Sequence, residues 1–267
     1  WWVIEGAFTG SILSVVGEEG RTTLSEANDG RTGQALIDWI GTTQSRGGRT
    51  IAVLDELASW DSMATYAADI DGQFAYSVLG IAGTARPTSN STSVIASLLY
   101  YLDIDIMTVL PLGLRRTSGL HTLLGTQSDD ELETTDTFTT IQSGMGADTI
   151  TGTTRGEKLY GGAGDDVIKW SGGIDVIHGG QWHMPYKEDG RDTIDVSGAG
   201  TLIIRRGMFD AEGYSPDFVI QQSFLNSATL YSIERIQWSA ATDRFFLEET
   251  EILEDGLLLK MGFEDDG

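Results

Sequence analysis

The chain has 267 residues, with 40 acidic side chains against 17 basic ones, a formal charge of −23 and no cysteine. That length implies two or three units with ample core. The charge argues against a phosphate-binding surface, and so against a nucleic-acid partner, and the missing thiols exclude disulfides and thiol chemistry.

The opening pair Trp1-Trp2 stands where a methionine would, so the chain reads as a piece of something longer. The apolar stretch from Ala7 to Val16 is too short to span a bilayer and lacks the basic flank of a signal peptide. The chain is therefore not expected to be transmembrane. Ala35, Leu36, Trp39 and Ile40 make a short helical face, and Leu54, Leu57, Ala58, Met63 and Ala64 make another over residues 51–68. Phe74, Tyr76 and Val78 alternate as a strand does. Ser89 or Ser91 can cap a helix through Val94, Ile95, Leu98 and Leu99 to Leu102, and Asp103 or Asp105 can start another that Pro111 ends. Residues 1–120 are thus expected to form a helix-rich domain. Its chemistry is sparse: there is no nucleophile elbow, zinc-binding helix or phosphate-cradling loop. Two of Asp55, Glu56 and Asp61 could pair for glycoside cleavage, or all three are simply a solvated helix face.

From Leu132 a branched apolar residue returns every nine residues, at Ile141, Ile150, Leu159, Ile168 and Ile177. After eight inserted residues it resumes at Ile194 and Ile203. A nine-residue period suits a parallel solenoid of six-residue turns and three-residue strands. The fullest unit is Gly161-Gly162-Ala163-Gly164-Asp165-Asp166-Val167-Ile168-Lys169. Two units make one coil, so acidic residues 18 apart stack on one edge. Asp130, Asp148, Asp166 and, past the insertion, Asp192 form one series; Thr139, Glu157, Asp175 and Thr201 form the other. Stacked carboxylates need a cation between them, and oxygen ligands favour calcium, whereas the three histidines have no zinc spacing.

These residues resemble the RTX calcium-binding nonapeptide family, with its GGxGxDxUx consensus, of type I secreted bacterial proteins. The resemblance covers residues 125–205. It implies that each Ca²⁺ lies between turns 18 residues apart, held by carbonyls of the second and fourth positions of the earlier turn, carbonyls of the first and third positions of the later one, and both aspartates. The best site then combines Gly144, Gly146 and Asp148 with Gly161, Ala163 and Asp166. A second combines Thr126, Ser128 and Asp130 with Ser143, Met145 and Asp148. A third combines Gly162, Gly164 and Asp166 with Gly179 and Asp192, its later turn disturbed by the insertion. On the opposite edge Thr153, Arg155 and Glu157 face Trp170, Gly172 and Asp175, where turn glycines are missing and an arginine intrudes.

The insertion Gln181 to Asp189 offers Trp182 and Tyr186 as a stacking surface for a glycan or protein partner, or as a shield folded over the coil end. Further on, Leu230 to Ser239 is similar to the "SGIERIQFSDG" element that closes many RTX modules, and residues 206–267 are expected to be a β-rich cap with an acidic tail. The expected whole is multi-domain: a helix-rich part at 1–120, a parallel β-roll solenoid at 121–205 and the cap. What the resemblance implies is a secreted or cell-surface bacterial protein that calcium folds, in a non-enzymatic structural, adhesive or matrix role. The alternatives are the C-terminal portion of a secreted RTX hydrolase and a homo-oligomer building block.

Overall fold

The computed structural model describes residues 2–9, 12–19, 55–77, 87–180, 190–206, 218–239, 241–247 and 250–252. The expected helical face at 35–40 and the insertion at 181–189 lie outside these residues. The chain divides into two compact units, residues 1–79 with 88–124, and residues 125–267 with 80–87.

In the first unit, β1 (Trp2–Thr9) and β2 (Ile12–Glu19) pair antiparallel, so the apolar stretch from Ala7 to Val16 spans the turn and part of both strands. Among the described residues three α-helices follow, each started by a side chain that accepts an orphan backbone N–H. Helix α1 (Glu56–Ile70) is capped by Asp55, which accepts from Ala58 N–H at 3.0 Å. That bond gives Asp55 a structural task. Helix α2 (Ser91–Tyr101) is capped by Asn90 in a reciprocal box with Ser93, and the short α3 (Ile106–Val109) by Asp105. The apolar faces of α1 and α2 meet in a cluster of Tyr66, Ala67, Ile70, Phe74, Val94, Leu98 and Leu124. Of the strand expected over Phe74, Tyr76 and Val78, the described residues show isolated bridge positions at Ala75 and Ser77, the latter paired with Ser89; Phe74 is buried in this cluster, and Val78 lies outside the described residues.

The second unit is built from strands that alternate between two sheets. After β3 (Thr122–Leu124), the smaller sheet takes β4 (Glu131–Glu133), β6 (Thr149–Thr151), β8 (Val167–Lys169), β10 (Thr193–Asp195) and β14 (Arg235–Gln237), all parallel. The larger takes β5 (Thr140–Met145), β7 (Lys158–Ala163), β9 (Ile174–His178), β11 (Thr201–Arg206), β12 (Phe218–Ser223), β13 (Asn226–Tyr231), β15 (Arg244–Leu247) and β16 (Thr250–Ile252). Within this unit its order is β16-β15-β11-β12-β13-β9-β7-β5. The register follows the 18-residue spacing: Leu132 lies opposite Ile150, Ile150 opposite Ile168, and Ile141 opposite Leu159. Strands β4, β6, β8 and β14 each bury the central residue and turn its neighbours outward, since side chains alternate across a strand. Leu132, Ile141, Ile150, Leu159, Ile168, Ile177 and Ile194 are all buried. Each such side chain contributes about 1.5–3 kcal/mol when fully removed from water.

Two departures from the nine-residue rule stand out. Ile203 does not continue the inner row; its neighbours Leu202 and Ile204 are the buried ones. Strand β11 lies away from β9, because the hairpin β12–β13 inserts between them and sets Leu230 opposite Ile177. The row in the smaller sheet is then completed by Ile236, opposite Ile194. Residues 218–247, expected within a separate cap, thus supply strands to both sheets. Rings stack along the same register, with Tyr160 6.1 Å and Tyr231 5.6 Å from His178.

Candidate metal centre

Turns that lead from the larger sheet to the smaller lie along one edge, and each carries a carboxylate two residues before the buried apolar residue. These carboxylates are chained. Asp130 N–H donates to Asp148 Oδ1 at 2.8 Å, Asp148 N–H to Asp166 Oδ1 at 2.8 Å, Asp166 N–H to Asp192 Oδ1 at 3.0 Å, and Asp192 N–H to Glu234 Oε2 at 2.8 Å. The expected series is therefore contiguous, and it ends on a residue the repeat did not single out. The signal for Glu234 was present: it precedes Ile236 by two, as each aspartate precedes its own apolar residue.

Glycine makes this stacking possible. Gly144, Gly146, Gly162 and Gly164 have φ of 108°, 114°, 113° and 128°, values that side-chain-bearing residues rarely adopt. A Cβ on Gly162 would overlap the Gly144 carbonyl, one on Gly164 the Gly146 carbonyl, and one on Gly190 the Gly164 carbonyl. Gly190 therefore fills the fourth place of the turn that the insertion interrupts, two residues before Asp192. The carbonyls at the second and fourth places of one turn point forward to the next. Those at the first and third places point back: Ser143 Oγ donates to Gly161 O, Gly146 N–H to Ala163 O at 2.9 Å, and Gly162 N–H to Gly179 O at 2.7 Å. The carbonyls implied by the resemblance thus face the gaps between successive turns, together with Asp148, Asp166 and Asp192.

Those carboxyls are deeply buried, Asp148 at 1 % exposure and Asp166 and Asp192 at 0 %. Asp148 Oδ2 has no hydrogen-bond partner, the neighbouring Ser143 hydroxyl giving its hydrogen to Gly161 O. Burial pushes the Asp148 carboxyl up to about 6 against the pull of the Asp130 N–H, and the charges of Asp130 and Asp129 add to the rise. A buried oxygen of this kind is costly without a counter-charge. Its surroundings of carbonyl and carboxylate oxygen suit a hard cation such as Ca²⁺. Among the described residues no three histidine or acidic side chains gather closely enough to hold a metal by themselves, so backbone carbonyls must form much of any shell.

The remaining expected ligands are placed differently. Asp130 Oδ2 accepts from Thr126 N–H at 2.6 Å and from the Thr126 hydroxyl at 3.0 Å. On the opposite edge Glu157 accepts from Thr153 N–H at 2.8 Å, from the Thr153 hydroxyl, and from the Thr134 hydroxyl at 2.7 Å. Asp175 accepts from Glu157 N–H at 2.7 Å and from Trp170 Nε1–H at 2.6 Å. Both oxygens of Asp175, an expected ligand, thus hold protein donors. Burial nevertheless pushes its carboxyl up to about 7, against the pull of those two bonds. Further along this edge Asp243 accepts from the N–H groups of Gly198, Gly200 and Ser239 at 3.0, 2.9 and 2.9 Å. Burial raises its carboxyl, but these bonds outweigh that effect and hold it below the usual value.

Comparison of the chain with protein-family models, with curated proteins and with solved structures found no match. Among the described residues no helix is long and apolar enough to cross a membrane.

Proposed function

We propose that this protein is a calcium-folded β-roll of the RTX kind, exported from a bacterial cell and serving outside it in a structural, adhesive or matrix role. The observation that carries the reading is the buried Asp148 Oδ2, without a hydrogen-bond partner among carbonyls that face the same gap. A cation there would relieve the repulsion of Asp148 and Asp166 and supply the charge their burial demands. Ca²⁺ would be held by Gly144, Gly146, Gly161 and Ala163 through their carbonyls and by the two aspartates. A low-calcium cytoplasm then leaves the repeat poorly ordered, and export into millimolar calcium folds it. Affinity of about 10⁻⁴ to 10⁻³ M suits such an extracellular module.

Far-ultraviolet circular dichroism of the full chain, with chelator and then with millimolar CaCl₂, tests this. Strand signal should grow cooperatively with calcium and not with equimolar magnesium. A spectrum indifferent to calcium would sink the reading.

A further inference from the structure

The charge excess of the chain is uneven. Residues 72–128 hold two acidic residues, Asp103 and Asp105, against Arg86, Arg115 and Arg116, so a stretch of 57 residues is formally +1 in a chain of −23. Between Asp105 and Asp129, His121 aside, the only ionisable side chains are those two adjacent arginines. Just before them, α3 ends at Val109 and the chain of the first unit passes through Leu110 and Pro111 into a single 3₁₀ turn, Leu112–Leu114. Pro111, Leu112, Gly113 and Leu114 are all exposed, Leu112 at 79 % and Leu114 at 52 %. None of the four has a polar side-chain atom, and successive residues of a 3₁₀ turn point about 120° apart. The turn is therefore apolar on every side that it shows to solvent.

Hydrogen bonds close this turn from within. Leu110 N–H donates to Ile106 O at 3.0 Å, Leu114 N–H to Pro111 O at 2.9 Å, Arg115 N–H to Leu112 O at 3.4 Å and Thr117 N–H to Leu114 O at 3.1 Å. The Thr117 hydroxyl donates to Leu114 O at 2.6 Å. Arg115 reaches back, its Nε–H donating to Leu110 O at 3.2 Å, which sets one half-buried guanidinium at the base of the turn; Arg116 follows it, exposed. The two leucines thus stand on a bonded frame, apolar at the tip and cationic at the root. A flat protein surface would cover one side of such a projection and leave the others in water. The boundary layer of a bilayer surrounds an inserted group, and the lipid phosphates lie at the level where the arginines would sit.

We propose that the segment from Leu110 to Arg116 docks the protein on the surface of an anionic phospholipid bilayer, with Leu112 and Leu114 entering the interface and Arg115 and Arg116 meeting lipid phosphates. The element belongs to the first unit, and the proposal goes beyond the calcium reading without resting on it. Attachment is weak and reversible, because two leucines and two arginines make a small anchor and the acidic remainder of the chain is repelled by the same lipids.

Co-sedimentation of the full chain with vesicles, in millimolar CaCl₂, tests this. Vesicles of equimolar phosphatidylcholine and phosphatidylglycerol should bind the wild type at least about fivefold more tightly than phosphatidylcholine alone, the effect of one arginine at an anionic surface. Leu112→Ser combined with Leu114→Ser should weaken binding at least about a hundredfold. Its melting temperature should match that of the wild type, both side chains being exposed already. Phe224→Ser is the control. Phe224 is 88 % exposed in the turn between β12 and β13, with no charged residue from Phe218 to Ile233, and its replacement should leave binding unchanged. Binding that survives the leucine substitutions would overturn the proposal, whether calcium bridges carboxylates to lipid or Phe224 enters the bilayer instead. So would a wild type that binds neither kind of vesicle, or both equally. A dimer seen by light scattering without lipid, and lost in the leucine variant, would overturn it in favour of a second copy of the chain.

Discussion

Two glycines of the same unit separate backbone strain from backbone contact. Gly164 and Gly198 both have positive φ, 128° and 86°, so alanine at either place carries a conformational cost of about 1–3 kcal/mol. Around Gly198 nothing lies within 4 Å of the added methyl, whereas at Gly164 it would overlap the Gly146 carbonyl and approach Ala147 N at 3.3 Å. Those are main-chain atoms in a neighbouring turn and cannot rotate away. Overpacking of that kind adds about 1–3 kcal/mol or more. Gly198→Ala should therefore cost about 1–2 kcal/mol and Gly164→Ala about 3–5 kcal/mol, which for a unit of this size separates their melting temperatures by roughly 5–10 °C. Differential scanning calorimetry in saturating calcium measures both. Equal shifts for the two variants would refute the close stacking of turn on turn.

Trp170→Phe removes the Nε1–H that Asp175 Oδ2 accepts, at a cost of about 1.5–3 kcal/mol where the carboxyl is charged. Because burial lifts that carboxyl from 3.8 to about 7 in the folded chain, its contribution to stability is fullest below pH 4 and is lost as pH rises toward 7. The variant's deficit should accordingly be larger at pH 8 than at pH 5 in parallel melts, and a pH-independent deficit would exclude this cause. Asp243 has the opposite sign: held below 3.8 by its donors, it favours the fold above that pH and ceases to do so as pH falls through its lowered value. Asp243→Ala should lower the urea midpoint at pH 7, with the difference from wild type narrowing below pH 4. Ile236→Ala opens the inner row at its last position, where the side chain is 0 % exposed, and should cost about 2–5 kcal/mol. A urea midpoint like that of the wild type would mean that β14 does not close the smaller sheet.

Much of this unit could be read from the chain because its period is geometric. Side chains that recur at one place in identical passes must share a face, so the burial of Leu132 through Ile194 followed from spacing. The failure at Ile203 has an equally local reason. A parallel row continues only where the next strand in sequence is also the next in the sheet, and the hairpin of β12 and β13 breaks that identity. Leu230 lies in a segment without the nonapeptide, so its place opposite Ile177 was hidden. Glu234 and Gly190 were legible in retrospect, each at the offset of its counterparts from the buried residue or the aspartate. The roles of Thr126 and Thr153 were not, since a threonine in a turn does not reveal from spacing whether its N–H folds back on its own carboxylate. The capping roles of Asp55, Asn90 and Asp105 likewise needed coordinates, although their residue types are those that start helices.

The chain of amides and carboxylates along the edge from Asp130 to Glu234 has a sense of direction. From Asp130 to Asp192 every amide is closed by an acidic side chain that comes later in sequence, and the series stops at Glu234. The stack can therefore be shortened from its beginning without orphaning a single one of these donors, since a lost first turn takes its own amide with it. Shortened from its end, it leaves the last remaining amide facing an empty place. A fragment that stopped at Asp195 would lack the acceptor for Asp192 N–H, while one begun at Thr140 would keep every bond from Asp148 onward. The final turn acts as a terminator that each upstream turn depends on in succession, and deletions at the two ends are unequal for that reason.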